Sequence, residues 1–102
     1  MMGRTSSIIN TDMPEPIGSY AFYAYSALKN VTISRTMNAY SSAFAYCSNL
    51  ESINLPDVVA ISDYTFASCY RLSDIALPKC SYIGNYAFEY CNSLVDLNLP
   101  AL

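Results

Sequence analysis

Residues 83–100 read IGNYAFEYCNSLVDLNLP, and the same pattern recurs every 22 residues along the 102-residue chain. Four residue types keep this spacing. They are phenylalanine at Phe22, Phe44, Phe66 and Phe88, leucine at Leu28, Leu50, Leu72 and Leu94, cysteine at Cys47, Cys69 and Cys91, and proline at Pro56, Pro78 and Pro100. Such a fixed period indicates a solenoid, in which each repeat buries its apolar side chains against its neighbours.

The period divides most of the chain into four units, at residues 17–38, 39–60, 61–82 and 83–102, of which the last is the shortest. Residues 1–16 precede these units as an N-terminal adapter. Within the adapter, Ile9 stands one period before Val31. This offset predicts that residues 7–11 form a first strand, which amounts to half a repeat.

Each unit contains one predicted β-strand. In the last unit, leucine occurs at Leu94, Leu97 and Leu99, and the final pair alternates as in a strand with one face inward. Proline follows this segment in three of the four units and marks the strand end, because it has no N–H to donate. Strands that recur in the same direction, one per coil, pair in parallel.

The other half of each unit predicts a short helical segment. An Ala-Phe pair opens it in three units, and Thr65-Phe66 replaces that pair in the third unit. Cysteine follows phenylalanine at a distance of three residues, which is helical spacing and is enough for about one turn. The predicted fold is therefore an α/β repeat solenoid with a parallel β-sheet on its concave side and short helical or 3-10 turns on its convex side.

The cysteines are expected to be buried free thiols. Cys47, Cys69 and Cys91 are one period apart and point the same way in adjacent coils, which disfavours bridging. Free cysteine behaves as a small hydrophobic residue. A Cys69–Cys91 bridge, or one that contains Cys80, remains the alternative. We expect no metal site and no cofactor, because the spacing of four ligands and histidine are both missing.

Composition argues against several function classes. The net charge is −3 and no cluster of Lys or Arg is present, so binding to nucleic acid or to an anionic membrane surface is not expected. No apolar run is long enough to cross a membrane. The absence of histidine rules out Ser-His-Asp and Cys-His pairs, and three glycines provide no phosphate-binding loop. We therefore expect a protein that is not an enzyme.

The repeat resembles the BspA-like leucine-rich repeats, in which an IGxxAF block, a cysteine and an LxxIxLP block recur. Residues 83–88, Cys91 and residues 94–100 match this pattern, as do residues 17–22 and 50–56. The unit here is one residue shorter than in many members, and residues 39–42 replace the usual opening block. The resemblance covers residues 17–100 and implies a right-handed arc that presents surfaces for protein binding or adhesion, on the cell surface or outside the cell. Residues 1–7 lack the apolar core of a secretion signal.

Binding residues are expected on the concave face, where strand residues that alternate with the core leucines point outward. They are Asn30, Thr32, Ser52, Asn54, Asp74, Asp96 and Asn98. This stripe is short, polar and mildly acidic, and curved solenoids use such surfaces for extended partners. The alternative is that these are ordinary solvent-facing strand residues. The ten tyrosines present the same choice between half-buried scaffold and a lateral protein contact.

Self-assembly is the alternative function. Solenoids normally carry polar capping repeats, and the sequence shows none. The chain is then expected to stack head to tail with a second copy, as in a filament, sheath or virion component. The residues expected in that contact are Ile9, Phe88, Leu94, Leu97 and Leu99.

Overall fold

The computed structural model describes residues 8–95, 97 and 99–101. Within these residues the chain forms short β-strands connected by turns. The strands are β1 (Ile8–Asp12), β2 (Asn30–Ser34), β3 (Asn38–Ala39), β4 (Ser52–Asn54), β5 (Ala60–Ile61), β6 (Asp74–Ala76) and β7 (Tyr82–Ile83). The strands form two sheets, and each of the inner coils contributes one strand to each sheet.

The first sheet has the strand order β1-β2-β4-β6, and every pair in it is parallel. The register repeats the period of the sequence, since Ile9 lies opposite Val31, Val31 opposite Ile53, and Ile53 opposite Ile75. Val31 and Ile53 are buried, while the residues beside them in each strand face outward. Parallel pairing and alternation in this sheet therefore agree with the pattern of apolar residues.

The second sheet was not predicted. It has the order β3-β5-β7 and is continued by a single parallel bridge between Ile17 and Ala39. The core-facing residue of each short strand belongs to the column Ile17, Ala39, Ile61 and Ile83, in which Ile83 is partly buried and the other three are buried. The fold is a β-solenoid with two parallel sheets.

The predicted helical or 3-10 turns are absent from the described residues, where the segments that carry phenylalanine form consecutive hydrogen-bonded turns. In the second unit, Ser42 and Tyr46 have φ values of 58° and 61°, which lie in the left-handed region and interrupt any right-handed helix. The N–H groups of Phe44 and Tyr46 donate to carbonyl groups of the next coil, at 2.8 Å each. Bonds between coils therefore replace the bonds within a helix.

The core is a set of columns that run through the coils. The four phenylalanine rings stack face to face, with centroid distances of 5.1, 5.3 and 5.4 Å. Leu28, Leu50 and Leu72 form a second buried column, and Cys47, Cys69 and Cys91 form a third. These three cysteines and Cys80 are free and buried. The expectation of free, buried thiols agrees with the structure.

Candidate functional site

The outward-facing residues of the first sheet form two rows that cross the strands. One row contains Asn30, Ser52 and Asp74, and the other contains Asn10, Thr32, Asn54 and Ala76. Their order follows from parallel pairing at an offset of one repeat, which places equivalent side chains about 4.8 Å apart in adjacent coils. The structure thus brings residues that are far apart in the sequence onto one continuous polar face.

These rows line an open groove with a volume of about 410 Å³. The hydroxyl group of Ser52 donates a hydrogen bond of 2.6 Å to the side-chain oxygen of Asn30, which orders these two neighbours. Asn54 and Asp74 are exposed, whereas Asn30, Thr32 and Ser52 are half-buried. The groove therefore offers amide, hydroxyl and carboxylate groups on the hydrogen-bonded backbone of one sheet.

Charged residues border the groove at both ends of its strands. Lys29 and Glu51 are paired at one end, with a nitrogen–oxygen distance of 3.9 Å. At the other end, ion pairs join Arg35 to Asp12 and Lys79 to Asp57, at 3.2 Å each. The backbone N–H of Arg35 also donates to Asp57, and this bond, followed by the Lys79 contact, lowers the pKa of Asp57. The charges at these ends are thus largely paired, while Asp74 provides a carboxylate inside the groove.

Five of the seven predicted binding residues lie together in this groove: Asn30, Thr32, Ser52, Asn54 and Asp74. Asp96 and Asn98 lie outside the described residues. Asn10 also lines the groove but was missed. The signal for it was present, because the offset that pairs Ile9 with Val31 also pairs Asn10 with Thr32.

The residues predicted for an end-to-end contact lie in the outermost coils. Ile9, Phe88, Leu94 and Leu99 are partly buried and pack against the core, and Leu97 is 40% exposed. Phe88 and its counterpart Phe22 are partly exposed at the two ends of the phenylalanine stack, whereas Phe44 and Phe66 inside the stack are fully buried.

All ten tyrosines are between 41% and 62% exposed, so each has part of its surface packed on the scaffold and part accessible to a lateral contact. Tyr20, Tyr64 and Tyr86 share one register, but only Tyr64 and Tyr86 stack, with ring centroids 5.2 Å apart. Tyr20 instead makes an edge contact of 5.3 Å with Tyr23. The reason is that Ser42 stands between Tyr20 and Tyr64 in this register.

The chemistry of the groove is that of hydrogen bonding. Its residues are donors and acceptors for a polar or extended partner, and the chain has no histidine to activate a nucleophile. In the described ranges, no three His, Cys, Asp or Glu side chains lie close enough together to hold a metal ion. A helix with the length and apolar character to cross a membrane is likewise not found among the residues described.

Comparison with known proteins identifies the repeat. A family model described as the BspA type leucine-rich repeat region (6 copies) matches residues 3–102. No curated protein and no solved structure matches the chain.

Proposed function

The chain belongs to the BspA-type leucine-rich repeat family, and on this premise we propose that it is a non-catalytic, adhesion-type module that binds a protein partner. The partner lies against the groove of the first sheet. The observation that carries this proposal is that the row of Asn30, Ser52 and Asp74 lies beside the row that contains Thr32 and Asn54 on one face of the sheet. Repeats of this family present surfaces for protein interaction, and a cell-surface or extracellular location is part of the proposal.

The geometry favours a protein segment in extended conformation. An extended chain exposes N–H and C=O groups on both edges, which match the amide and hydroxyl groups that line the groove. Asp74 is an exposed carboxylate within the groove and favours a partner with a lysine, an arginine or free N–H groups at that point. Six of the ten residues that line the groove are polar, so affinity would come mainly from several aligned polar contacts.

The test is a binding screen against purified extracellular proteins, measured by biolayer interferometry. A variant with Asn54→Lys and Asp74→Lys should lose the partner and remain folded by circular dichroism. The matched control carries Glu15→Lys and Ser26→Lys, two exposed positions that line neither this groove nor the turn segments' pocket and that together make the same change of charge. If the double variant binds as tightly as the unchanged protein, the groove is not the binding site.

A second candidate function is structural self-assembly, in which a second copy stacks on an outer coil. The observation that favours it is the partial exposure of Phe22 and Phe88 at the ends of a stack whose inner rings are fully buried. Another coil would continue the stack and remove apolar surface from water. Analytical ultracentrifugation and electron microscopy test this function. Filament growth that is lost in the Leu97→Lys variant would support self-assembly. A monomer that forms no fibres at high concentration would exclude self-assembly.

The division of the chain remains part of the proposal. Residues 1–16 act as an N-terminal adapter with a half-repeat strand, and residues 17–38, 39–60, 61–82 and 83–102 are the four leucine-rich repeats. Limited proteolysis with mass spectrometry tests this division, since the first cleavage should fall at the junction near residues 14–16 and not within residues 17–102.

A further inference from the structure

A second groove lies on the turn segments, away from the groove of the first sheet. It forms between two ladders of residues with positive φ, which flank the phenylalanine column two positions before it and two positions after it. The first ladder is Tyr20, Ser42, Tyr64 and Tyr86, and the second is Ala24, Tyr46, Ser68 and Tyr90. All eight φ values lie between 56° and 62°. Bulky residues rarely adopt this conformation, and strained positions of this kind concentrate at functional sites.

We call this feature the tyrosine groove. Its walls are Tyr20 and Tyr64 on one side and Tyr46 and Tyr90 on the other, and Tyr23 lies between Tyr20 and Tyr46 at one end. Its floor is Ser42, Ala45, Ala67 and Ser68. The five tyrosines are between 42% and 62% exposed, whereas the four floor residues are buried. The groove has a volume of about 160 Å³. Small floor residues beneath exposed aromatic walls leave room for the side chains of a ligand.

The tyrosines recur at a spacing that selects one ligand conformation. Tyr46 and Tyr90 occupy the same ladder in alternate coils, with Ser68 between them. Adjacent coils are about 4.8 Å apart, so these two positions are about 9.6 Å apart. One turn of a polyproline II helix takes three residues and rises about 9.3 Å. Successive turns of such a helix would therefore meet successive tyrosines of one wall.

The polar groups of the groove fit the same ligand. Polyproline II has no internal hydrogen bonds, so its carbonyl groups can accept from the exposed tyrosine hydroxyl groups. Aromatic-lined grooves are a recurrent way to bind such a helix. Glu89 also lines the groove, and the three ion pairs found among the described residues do not include it. A basic residue of the ligand would pair with this carboxylate.

From these observations we infer that the tyrosine groove is a second interaction surface, which binds a proline-rich protein segment in the polyproline II conformation with a basic residue beside Glu89. This surface is independent of the groove of the first sheet. Loss of one site would leave the other intact, so the two proposals fail separately.

The test uses the full chain and a fluorescently labelled ten-residue proline peptide with one arginine, placed at either end in two separate peptides. Fluorescence anisotropy should show saturable binding, tighter for one placement of the arginine. Tyr46→Ala and Tyr90→Ser should each weaken binding about tenfold or more. The chain already has alanine and serine in this ladder, at Ala24 and Ser68, so both variants should remain folded. Glu89→Gln should remove the difference in affinity between the two proline peptides.

Tyr70→Ala and Tyr82→Ala are the controls, because both residues are exposed tyrosines that do not line the groove. They should leave the affinity unchanged. A glycine-serine peptide with the same arginine should not bind. The proposal is overturned if neither proline peptide binds, if the control variants weaken binding as much as Tyr46→Ala, or if a β-linked oligosaccharide binds the groove while the proline peptides do not.

Discussion

The thiol of Cys69 donates a hydrogen bond to the backbone carbonyl oxygen of Phe44 in the neighbouring coil, with a sulfur–oxygen distance of 3.1 Å. The same bond joins Cys47 to Phe22 and Cys91 to Phe66, at the same distance. Each cysteine of this column therefore fills apolar space and also satisfies a carbonyl group of the preceding coil. Both roles require the protonated thiol.

The first prediction concerns stability at high pH. Burial raises the pKa of Cys47 and of Cys91 from 9.0 to about 11, and burial together with the neighbouring thiols raises that of Cys69 further. Because the folded state holds the proton more tightly, the free energy of unfolding should keep this contribution below about pH 9. It should then fall as the pH rises through about 11. Urea unfolding between pH 7 and 11 measures the effect.

The control for this prediction is a variant with Cys47→Ala and Cys91→Ala, which should show a shallower loss of stability over the same pH range. The thiols of the native protein should also react slowly with a thiol reagent at pH 8 and rapidly after unfolding. A free energy of unfolding that does not change between pH 9 and 11 would contradict the raised pKa of these thiols in the folded state.

The second prediction compares two rings of the phenylalanine stack. Phe66 is fully buried between Phe44 and Phe88, so Phe66→Ala should lower the free energy of unfolding by roughly 3 to 5 kcal/mol through cavity formation. Phe88 is partly exposed, and Phe66 is the one ring it stacks on among the described residues. Phe88→Ala should therefore cost about half as much. Chemical denaturation at neutral pH measures the free energy of unfolding of both variants. Equal losses for Phe66→Ala and Phe88→Ala would contradict the prediction that the inner ring contributes more than the outer ring.

The third prediction compares two glycines at the same position of the repeat. A methyl group at Gly84 would lie 2.6 Å from the backbone nitrogen of Asp63, so Gly84→Ala should destabilise the fold by about 1 to 3 kcal/mol. The equivalent Gly18 has nothing within 4 Å and no positive φ, so Gly18→Ala should be neutral or stabilising by up to about 1 kcal/mol. Thermal unfolding measures the difference, and a tolerated Gly84→Ala would mean that the contact with Asp63 can relax.

The fourth prediction concerns the cost of positive φ. Ala24 is exposed with φ of 56°, a conformation that costs a residue with a Cβ about 1 to 2 kcal/mol. Ala24→Gly should therefore stabilise the fold by up to about 1 kcal/mol, since the added entropy of the unfolded chain offsets part of the gain. Ala21→Gly is the control, because Ala21 is also exposed but has no positive φ, and it should lower stability by about 0.5 to 1 kcal/mol. The same sign for both variants would contradict this account.

Much of the first sheet and of its groove could be predicted from the sequence. Because the coils stack in parallel at a constant offset of one repeat, the register of neighbouring strands can be read from the sequence numbers. The proximity of Asn30, Ser52 and Asp74 therefore follows directly from their spacing. The same counting should have included Asn10, which lies opposite Thr32. It was missed because the strand that carries it belongs to an incomplete repeat with no core leucine.

The turn segments could not be predicted in the same way. The spacing of Phe44 and Cys47 does close a single turn, with a nitrogen–oxygen distance of 3.3 Å, as the helical interpretation expected. Tyr46 lies between them, and its positive φ prevents this turn from continuing as a helix. Tyrosine is not a residue type that signals positive φ. A bond from Tyr46 N–H to Ala67 of the next coil accompanies that conformation, and such a bond exists only once the coils are stacked.

The sequence by itself determined the period, the register of the coils and the columns of phenylalanine, leucine and cysteine, because identical residues at a constant offset bury themselves only when the repeats stack in order. Only the tertiary structure decided the second sheet, the left-handed turns and the outward position of the tyrosines. These features depend on which backbone N–H groups donate to the neighbouring coil and which donate within their own coil. Local residue preferences do not determine this division.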